Sequence, residues 1–354
     1  MATSQQPRLA FLDRFLPVWI IIAMILGLLI GHFLPGIGKA LSAWEVGGIS
    51  LPIALGLLVM MYPPLAKVRY EKTREIATDR RLMTVSIVLN WLVGPAFMFA
   101  LAWLFLADQP ELRTGLIIVG LARCIAMVLV WSDLSCGDRE ATAVLVAINS
   151  VFQVAMFGVL GWFYLQILPG WLGLDTTSVE FSFWSIVTSV LVFLGIPLLL
   201  GVISRVWAEK TKGREWFESR CLPAVSPLAM IGLLYTIVLL FSLQGEQLVE
   251  QPIAVVRVAV PLMLYFVGMF FLALGVAKAV GMNYAQSASV AFTAAGNNFE
   301  LAIAVSIGTF GATSAQALAG TIGPLVEIPV LVGLVYVMLW IGPKLFPGDR
   351  TLPN

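Results

Sequence analysis

Charge is the first thing this sequence is short of. Charged side chains make up 12% of its 354 residues, where an ordinary soluble domain carries roughly 25%. The 21 Lys and Arg nearly balance the 20 Asp and Glu, for a formal net charge of +1. Without a surplus of clustered cations there is nothing to release counterions from a phosphate backbone, so nucleic acid is excluded as a partner. There is one histidine, His32, which removes a multi-histidine metal site and a histidine base for thiol chemistry. The three cysteines, Cys124, Cys136 and Cys221, are odd in number and form no CxxC pair. Neither a disulfide framework nor a structural zinc site is expected, and no cofactor is called for.

What the chain has in excess is hydrocarbon. Hydrophobic residues reach 60% and the mean hydropathy is +0.95, the composition of an integral membrane protein. The run from Phe15 to Leu34 is too long for a cleaved signal and lacks a small-residue cleavage site after it, so it reads as a first transmembrane helix. Runs that meet the ~20 residues needed to cross a bilayer lie near 15–34, 46–66, 82–106, 114–131, 141–168, 181–203, 222–243, 255–277, 284–307 and 316–343. With the N-terminus inside, 17 of the 21 Lys and Arg fall in inner segments, three outside, and Arg123 within a span. That asymmetry predicts a multi-pass protein of the cell membrane with both termini cytoplasmic. Trp44, Trp103, Trp171, Trp184 and Trp340, near span ends, suit the interfacial aromatic belt.

The two halves resemble one another in order. LLIG at 28–31 matches LLLG at 198–201, PIAL at 52–55 matches PLAM at 227–230, and CIAMV at 124–128 matches ELAIAV at 300–305, with offsets of 170, 175 and 176. Five spans per half would invert the second half against the first, the inverted-repeat design of many secondary transporters. The expected fold is therefore all-α and membrane-integral, with ten transmembrane helices. Residues 1–14 form a cytoplasmic tail, 15–168 the first five-helix repeat, 181–346 the second, inverted repeat, and 347–354 a second cytoplasmic tail. The fourth and ninth spans have the composition of broken helices: Gly115, Gly120 and Arg123 in one, Gly296, Asn297 and Asn298 in the other. Unwound backbone is tolerated at that depth only where protein or water satisfies it. Asn298 is suited to capping the helix that follows.

Arg123, Glu300 and Glu327 are charged groups inside apolar spans. Such groups cost about 2.5–3.5 kcal/mol on insertion scales and mark solute or proton pathways, unless they pair merely to pin two helices. Cys124 on its own reads as a small buried packing residue, but beside Arg123 and at a half-helix N-terminus it is a candidate thiolate and a soft ligand. Asn149 has two readings, a site group or an interhelical hydrogen bond. Trp131, about two turns from Cys124, is a gate or an interfacial anchor. Cys136 and Cys221 read as bystanders near the inner surface.

The segments "GLARCIAMVLVW", "NNFELAIAV" and "GPLVEIPVL", with the ten-span layout, closely resemble the arsenical-resistance arsenite permease family of the bile/arsenite/riboflavin transporter superfamily. The resemblance runs over almost the whole chain. It implies a panel of spans one, two, six and seven, and a core of spans three to five and eight to ten in which the fourth and ninth cross. It implies a secondary transporter, not an enzyme, that exports arsenite, with antimonite as a further substrate, in exchange for protons. Carried over, Cys124 would ligate the metalloid, Arg123, Asn149, Asn298 and Trp131 would line the substrate site, and Glu300 and Glu327 would couple protons. The alternative within the same fold is a sodium-coupled organic-anion symporter, in which Cys124 is incidental. A rival of another class, an intramembrane thiol enzyme, lacks its histidine base.

Overall fold

The computed structural model describes residues 15–34, 36–37, 41, 43–46, 49–67, 79–125, 127–174, 183–311 and 313–352. The expected N-terminal tail 1–14 and most of the basic segment after the second span, 68–78, lie outside the described residues. The helices are α1 (Leu16–Phe33), α2 (Leu51–Lys67), α3 (Arg80–Phe105), α4 (Pro110–Leu121), α5 (Met127–Leu134), α6 (Arg139–Trp171), α7 (Phe183–Lys212), α8 (214–250), α9 (Pro252–Ala279), α10 (Tyr284–Ala295), α11 (Phe299–Phe310) and α12 (Ala315–Leu345). A two-residue antiparallel hairpin, β1 (Glu45–Val46) and β2 (Ile49–Ser50), precedes α2. Six of the helices, α3, α6, α7, α8, α9 and α12, are long and apolar enough to cross a membrane.

Their ends follow from local chemistry. Asp79 caps α3 and Asp138 caps α6, each side chain accepting two backbone N–H groups, while Ser314 caps α12 by accepting the Ala317 N–H. These are the side chains that satisfy the orphan donors of a first turn. Inside the long helices the i→i−4 ladder loosens into π turns at Leu89–Val93, Phe163–Ile167 and Leu191–Gly195, each followed by a proline one or two residues into the next turn. Proline lacks the N–H that a regular turn would use, and a wider turn accommodates it.

Two groups of helices result. In the first, α8 lies along α1 and α2, and α7 lies along α2. In the second, α3 packs on α4 and α9, α9 on α10 and α12, and α12 on α4 and α11. α7 seats the first group on the second through α6 and α11. The outer face of the first group is hydrocarbon: Ile21, Ile25, Leu199, Ile203 and Ile231 are all exposed, a continuous apolar surface that water would not tolerate and lipid does. Trp44, Trp171, Trp184 and Trp340 are also exposed. Trp103 departs from the expected belt, being half-buried beneath the Arg113 guanidinium, 3.7 Å from its ring centroid.

The segment expected as a C-terminal tail, 347–354, is described as far as residue 352 and packs against α10. Asp349 Oδ2 accepts the Tyr284 backbone N–H at 2.7 Å, and Thr351 Oγ1 accepts the Ala285 N–H at 3.2 Å, so this segment caps the start of α10. The Phe346 ring meets the Tyr284 ring edge-on at 5.9 Å. Partial burial works against the Asp349 charge, but hydrogen bonds from Thr351 and Tyr284 outweigh it and hold this carboxyl below the usual carboxylate range. A depressed folded-state value means the cap stabilises above the unfolded value of about 3.9 and is lost as pH falls through the lower folded one. Asp349→Ala is therefore expected to lower stability by about 1 kcal/mol near neutral pH. Thermal unfolding of the detergent-solubilised protein checks this: the gap between variant and parent should close progressively below about pH 4.

Candidate functional site

α4 and α10 both stop in mid-protein on extended residues, Ala122 (φ −86°, ψ 119°) and Gly296 (φ −74°, ψ 141°). The extended segments that follow meet as an antiparallel bridge between Arg123 and Asn297. The Cys124 N–H donates to the Gly296 carbonyl at 3.3 Å, and the Asn298 N–H donates to the Ala122 carbonyl at 3.1 Å. From this crossing α5 and α11 start outward again. Asn298 Oδ1 accepts the Leu301 N–H at 2.9 Å, the cap expected of it. Across the bridge Cys124 does the same for α5, its Sγ accepting the Val128 N–H at 3.3 Å. A Cβ on Gly296 would stand 3.1 Å from the Cys124 Cβ, so any larger residue there would have to push the two strands apart by a few tenths of an ångström.

About the bridge, in which Arg123 stands opposite Asn297, Cys124 and Asn298 occupy matching places, each one residue past the bridge; Glu300, which the match of CIAMV to ELAIAV set against Cys124, lies two residues further on. Side-chain chemistry had obscured this, because a thiol and an amide do not look alike in sequence although both cap the helix that follows.

Arg123 is wholly buried and its partners were not foreseen. One guanidinium nitrogen donates to Tyr265 Oη at 2.7 Å and the other to the Gly120 carbonyl. Gly94, just past the π turn of α3, leaves room for the guanidinium: a Cβ there would lie 2.8 Å from it. No carboxylate forms a salt bridge with Arg123 among the described residues, so the helix-pinning ion pair is not what it makes. Nor does it face the thiol. Successive residues of an extended segment project to opposite sides, and the ionisable groups in electrostatic reach of the Cys124 sulfur are Glu327 and Glu300. The expectation that Arg123 keeps that sulfur ionised is thereby withdrawn.

Most of the remaining candidates gather here. Glu300 stands in the first turn of α11 and is partly exposed, and Glu327 on α12 is buried at 4%. Asn149 Oδ1 accepts the Trp91 indole N–H at 3.0 Å, the interhelical bond that was one of its two readings. Trp131 is fully buried, which rules out the interfacial anchor. Asn149 Nδ2, Asn298 Nδ2, both amide atoms of Asn297, Trp131 Nε1 and Glu327 Oε1 are buried without a hydrogen-bond partner among the described residues. Unpaired buried polar atoms are costly and rare, so these groups are the candidates for meeting a small polar solute. Cys136 and Cys221 lie apart from it, and burial and Asp133 push the Cys136 thiol up, so it stays protonated. No group of three or more His, Cys, Asp or Glu suited to a metal ion occurs among the described residues.

Comparison with known proteins follows the same line. The family model described as the sodium bile acid symporter family matches residues 54–251. The chain is 78% identical over 351 residues to the arsenical-resistance protein Acr3 of Corynebacterium glutamicum, covering 99% of this chain and 95% of that one. It is 34% identical to the arsenical-resistance protein Acr3 of Alkaliphilus metalliredigens, over 93% and 92% of the two chains. An uncharacterized transporter of Synechocystis is 33% identical over 92% and 88%. The chain belongs to the arsenical-resistance permease family. One relative is named as a transporter and the matching family model as a symporter family, and a multi-pass membrane setting agrees with the apolar helices.

Within this arsenical-resistance permease the crossing offers one soft sulfur, two carboxyl groups and three amides, with two helix N-termini directed at the same place. Sequence reading missed Tyr265, Trp91 and Gln153, whose amide binds the Arg123 backbone. Only Gln153 left a trace, a polar residue one helical turn after Asn149 and so on the same face. Tyr265→Phe removes the acceptor for a buried guanidinium. It is expected to destabilise the protein by about 1.5–3 kcal/mol, the range for a hydrogen bond to a charged group. Denaturant or thermal unfolding of purified protein, with Phe97→Leu as a control for lost ring packing against Tyr265, measures it.

Proposed function

We propose that this protein is an arsenite efflux permease of the cell membrane, with Cys124 as the metalloid ligand. The observation that carries the reading is the Cys124 sulfur at the N-terminus of α5, with Glu300 and Glu327 in reach of it and unpaired amides around the crossing. The relatives named as arsenical-resistance proteins, one of them 78% identical, supply the substrate class. Arsenite near neutral pH is mainly the uncharged trihydroxide. A thiol displaces one hydroxyl: the S–H and one As–O bond break, an S–As bond forms, and the proton leaves with the hydroxyl as water. Arsenic stays trivalent, so no oxidant is needed. Amides of Asn149, Asn297 and Asn298 are suited to the two hydroxyls left on arsenic. One sulfur gives a bond that water can reverse, which suits carriage rather than storage.

The same proposal includes ten spans in two inverted halves, α4–α5 and α10–α11 each counting as one broken span, with both termini cytoplasmic. The equivalent caps at Cys124 and Asn298 support it, as does the bias of Lys and Arg toward one set of loops. Movement of the α1, α2, α7 and α8 group against the rest would open the crossing to each side in turn. Glu300, partly exposed on the first turn of α11, is the exchangeable proton site, with Glu327 beside it. Arg123 serves by holding the shape of the break, and Trp131, buried about one turn into α5, closes the inner path.

Everted membrane vesicles test the substrate and the coupling together. Parental protein should accumulate arsenite under an imposed proton gradient and not under a sodium gradient; the reverse result would establish the sodium-coupled organic-anion reading instead. Cys124→Ala, at equal abundance, should lower arsenite uptake at least tenfold, the equivalent of about 1.4 kcal/mol of lost binding. Glu300→Gln should retain arsenite binding and lose gradient-driven uptake. Full coupled uptake by either variant would remove that residue from its role.

A further inference from the structure

The two strands of the crossing are held on their outer edges by the same device. The bridge uses one edge of each extended segment; the other edge still needs partners in a medium without free water. For the first strand they come from Gln153 on α6, thirty residues after Arg123: Oε1 accepts the Arg123 N–H at 2.8 Å and Nε2 donates to the Arg123 carbonyl at 3.0 Å. For the second strand the group in the matching place is Glu327 on α12, also thirty residues later, whose carboxyl stands within electrostatic reach of the Asn297 backbone. Gln153 and Glu327 are both buried. Since Arg123 and Asn297 are themselves bridge partners, the clamps stand at equivalent positions in the two halves.

We propose that Gln153 is a positioning residue that fixes the Cys124-bearing strand by acting as a third strand beside it, and that Glu327 is its counterpart on the Asn297 strand. The inference deepens the arsenite reading and rests on it. A primary amide offers a peptide's own donor and acceptor side by side, which is why a glutamine suits this place and a hydrophobe of similar volume does not. A carboxylate reproduces only the acceptor; the protonated acid reproduces both, and Glu327 Oε1 is buried without a hydrogen-bond partner among the described residues. Glu327 is thus first a backbone clamp, and a glutamine should serve there for binding.

The experiment uses purified full-length protein in detergent, with sodium arsenite as the probe and binding measured by calorimetry. A second readout is the rate at which a small thiol reagent modifies Cys124 in a Cys136→Ser, Cys221→Ser background. Gln153→Leu is expected to weaken arsenite binding about tenfold or more and to shift the Cys124 modification rate by at least about threefold; Glu327→Leu should match it, while Glu327→Gln stays within about threefold of the parent. If Gln153→Leu does not fold, Gln153→Glu, which keeps the acceptor and loses the donor, takes its place, with weakened binding expected. Parental binding and labelling in the Gln153 variant would overturn the proposal. So would loss of binding in Glu327→Gln as complete as in Glu327→Leu, since the carboxylate itself would then be the binding group. Unchanged arsenite binding in Cys124→Ala would sink the arsenite reading alone, and the labelling rates would still decide the clamp.

Discussion

The structure depends on one pairing: two stretches of unwound backbone that satisfy each other in the middle of a hydrocarbon slab. Cys124 donates to Gly296, Asn298 donates to Ala122, and the outer edge of the first strand is taken up by Gln153. Each buried peptide group left unpaired would cost on the order of 1–3 kcal/mol, so neither break could exist without the other. This reciprocity explains the helix order around the crossing. α4 and α10 bring carbonyl ends to it, α5 and α11 start from it, and α3, α6, α9 and α12 close around those four half-helices. The group formed by α1, α2, α7 and α8 touches the crossing helices mainly through α7 on α11.

Arg123 makes sense within the same constraint. A guanidinium without a carboxylate partner in a membrane is expensive, yet here it answers the carbonyl of Gly120, one of the groups left open where α4 stops, and the hydroxyl of Tyr265 on α9. It ties the end of one half-helix to a full-length neighbour. Gly94 makes the space and the preceding π turn sets the glycine there. The cation is thus a strut whose charge is spread over backbone and phenol dipoles, on the far side of the strand from the sulfur.

Much of this was legible in the amino-acid order because hydrocarbon length and polar interruptions are strong, local signals. The apolar runs located most helices to within a few residues; the main shifts were at the end of α7, which runs to Lys212 rather than 203, and at both ends of α8, 214–250 rather than 222–243. Gly296-Asn297-Asn298 and the Arg123 neighbourhood announced the two breaks, and Asn298 was identifiable as a cap. What stayed hidden were relations across the fold. That Arg123 turns from Cys124 follows from extended geometry, which a helix-period reading of the fourth span does not contain. The pairing of Gln153 with the Arg123 backbone joins residues thirty apart on different helices. Tyr265 gave no signal, since an isolated tyrosine in an apolar span is ordinary packing until its hydroxyl has a partner. That Asp349, in the segment expected as a tail, caps α10 was not legible, because it depends on where α10 begins in space.

The two caps carry the last step. Asn298 and Cys124 stand at equivalent positions across the bridge, each closing the first turn of the half-helix that follows. Asparagine is among the strongest caps, and replacing such a residue with one that cannot accept well costs about 0.5–2 kcal/mol. A thiol sulfur is a weak acceptor, so by stability alone the first half should carry Asn, Ser or Asp as the second does. The same exchange would leave the bridge intact, because the bridge uses main chain only. A sulfur that caps poorly breaks the local preference, and residues that do so tend to belong to functional sites. The proposed role of Cys124 as a metalloid ligand would account for the asymmetry between the two sides of the crossing, because a trivalent metalloid prefers sulfur to oxygen.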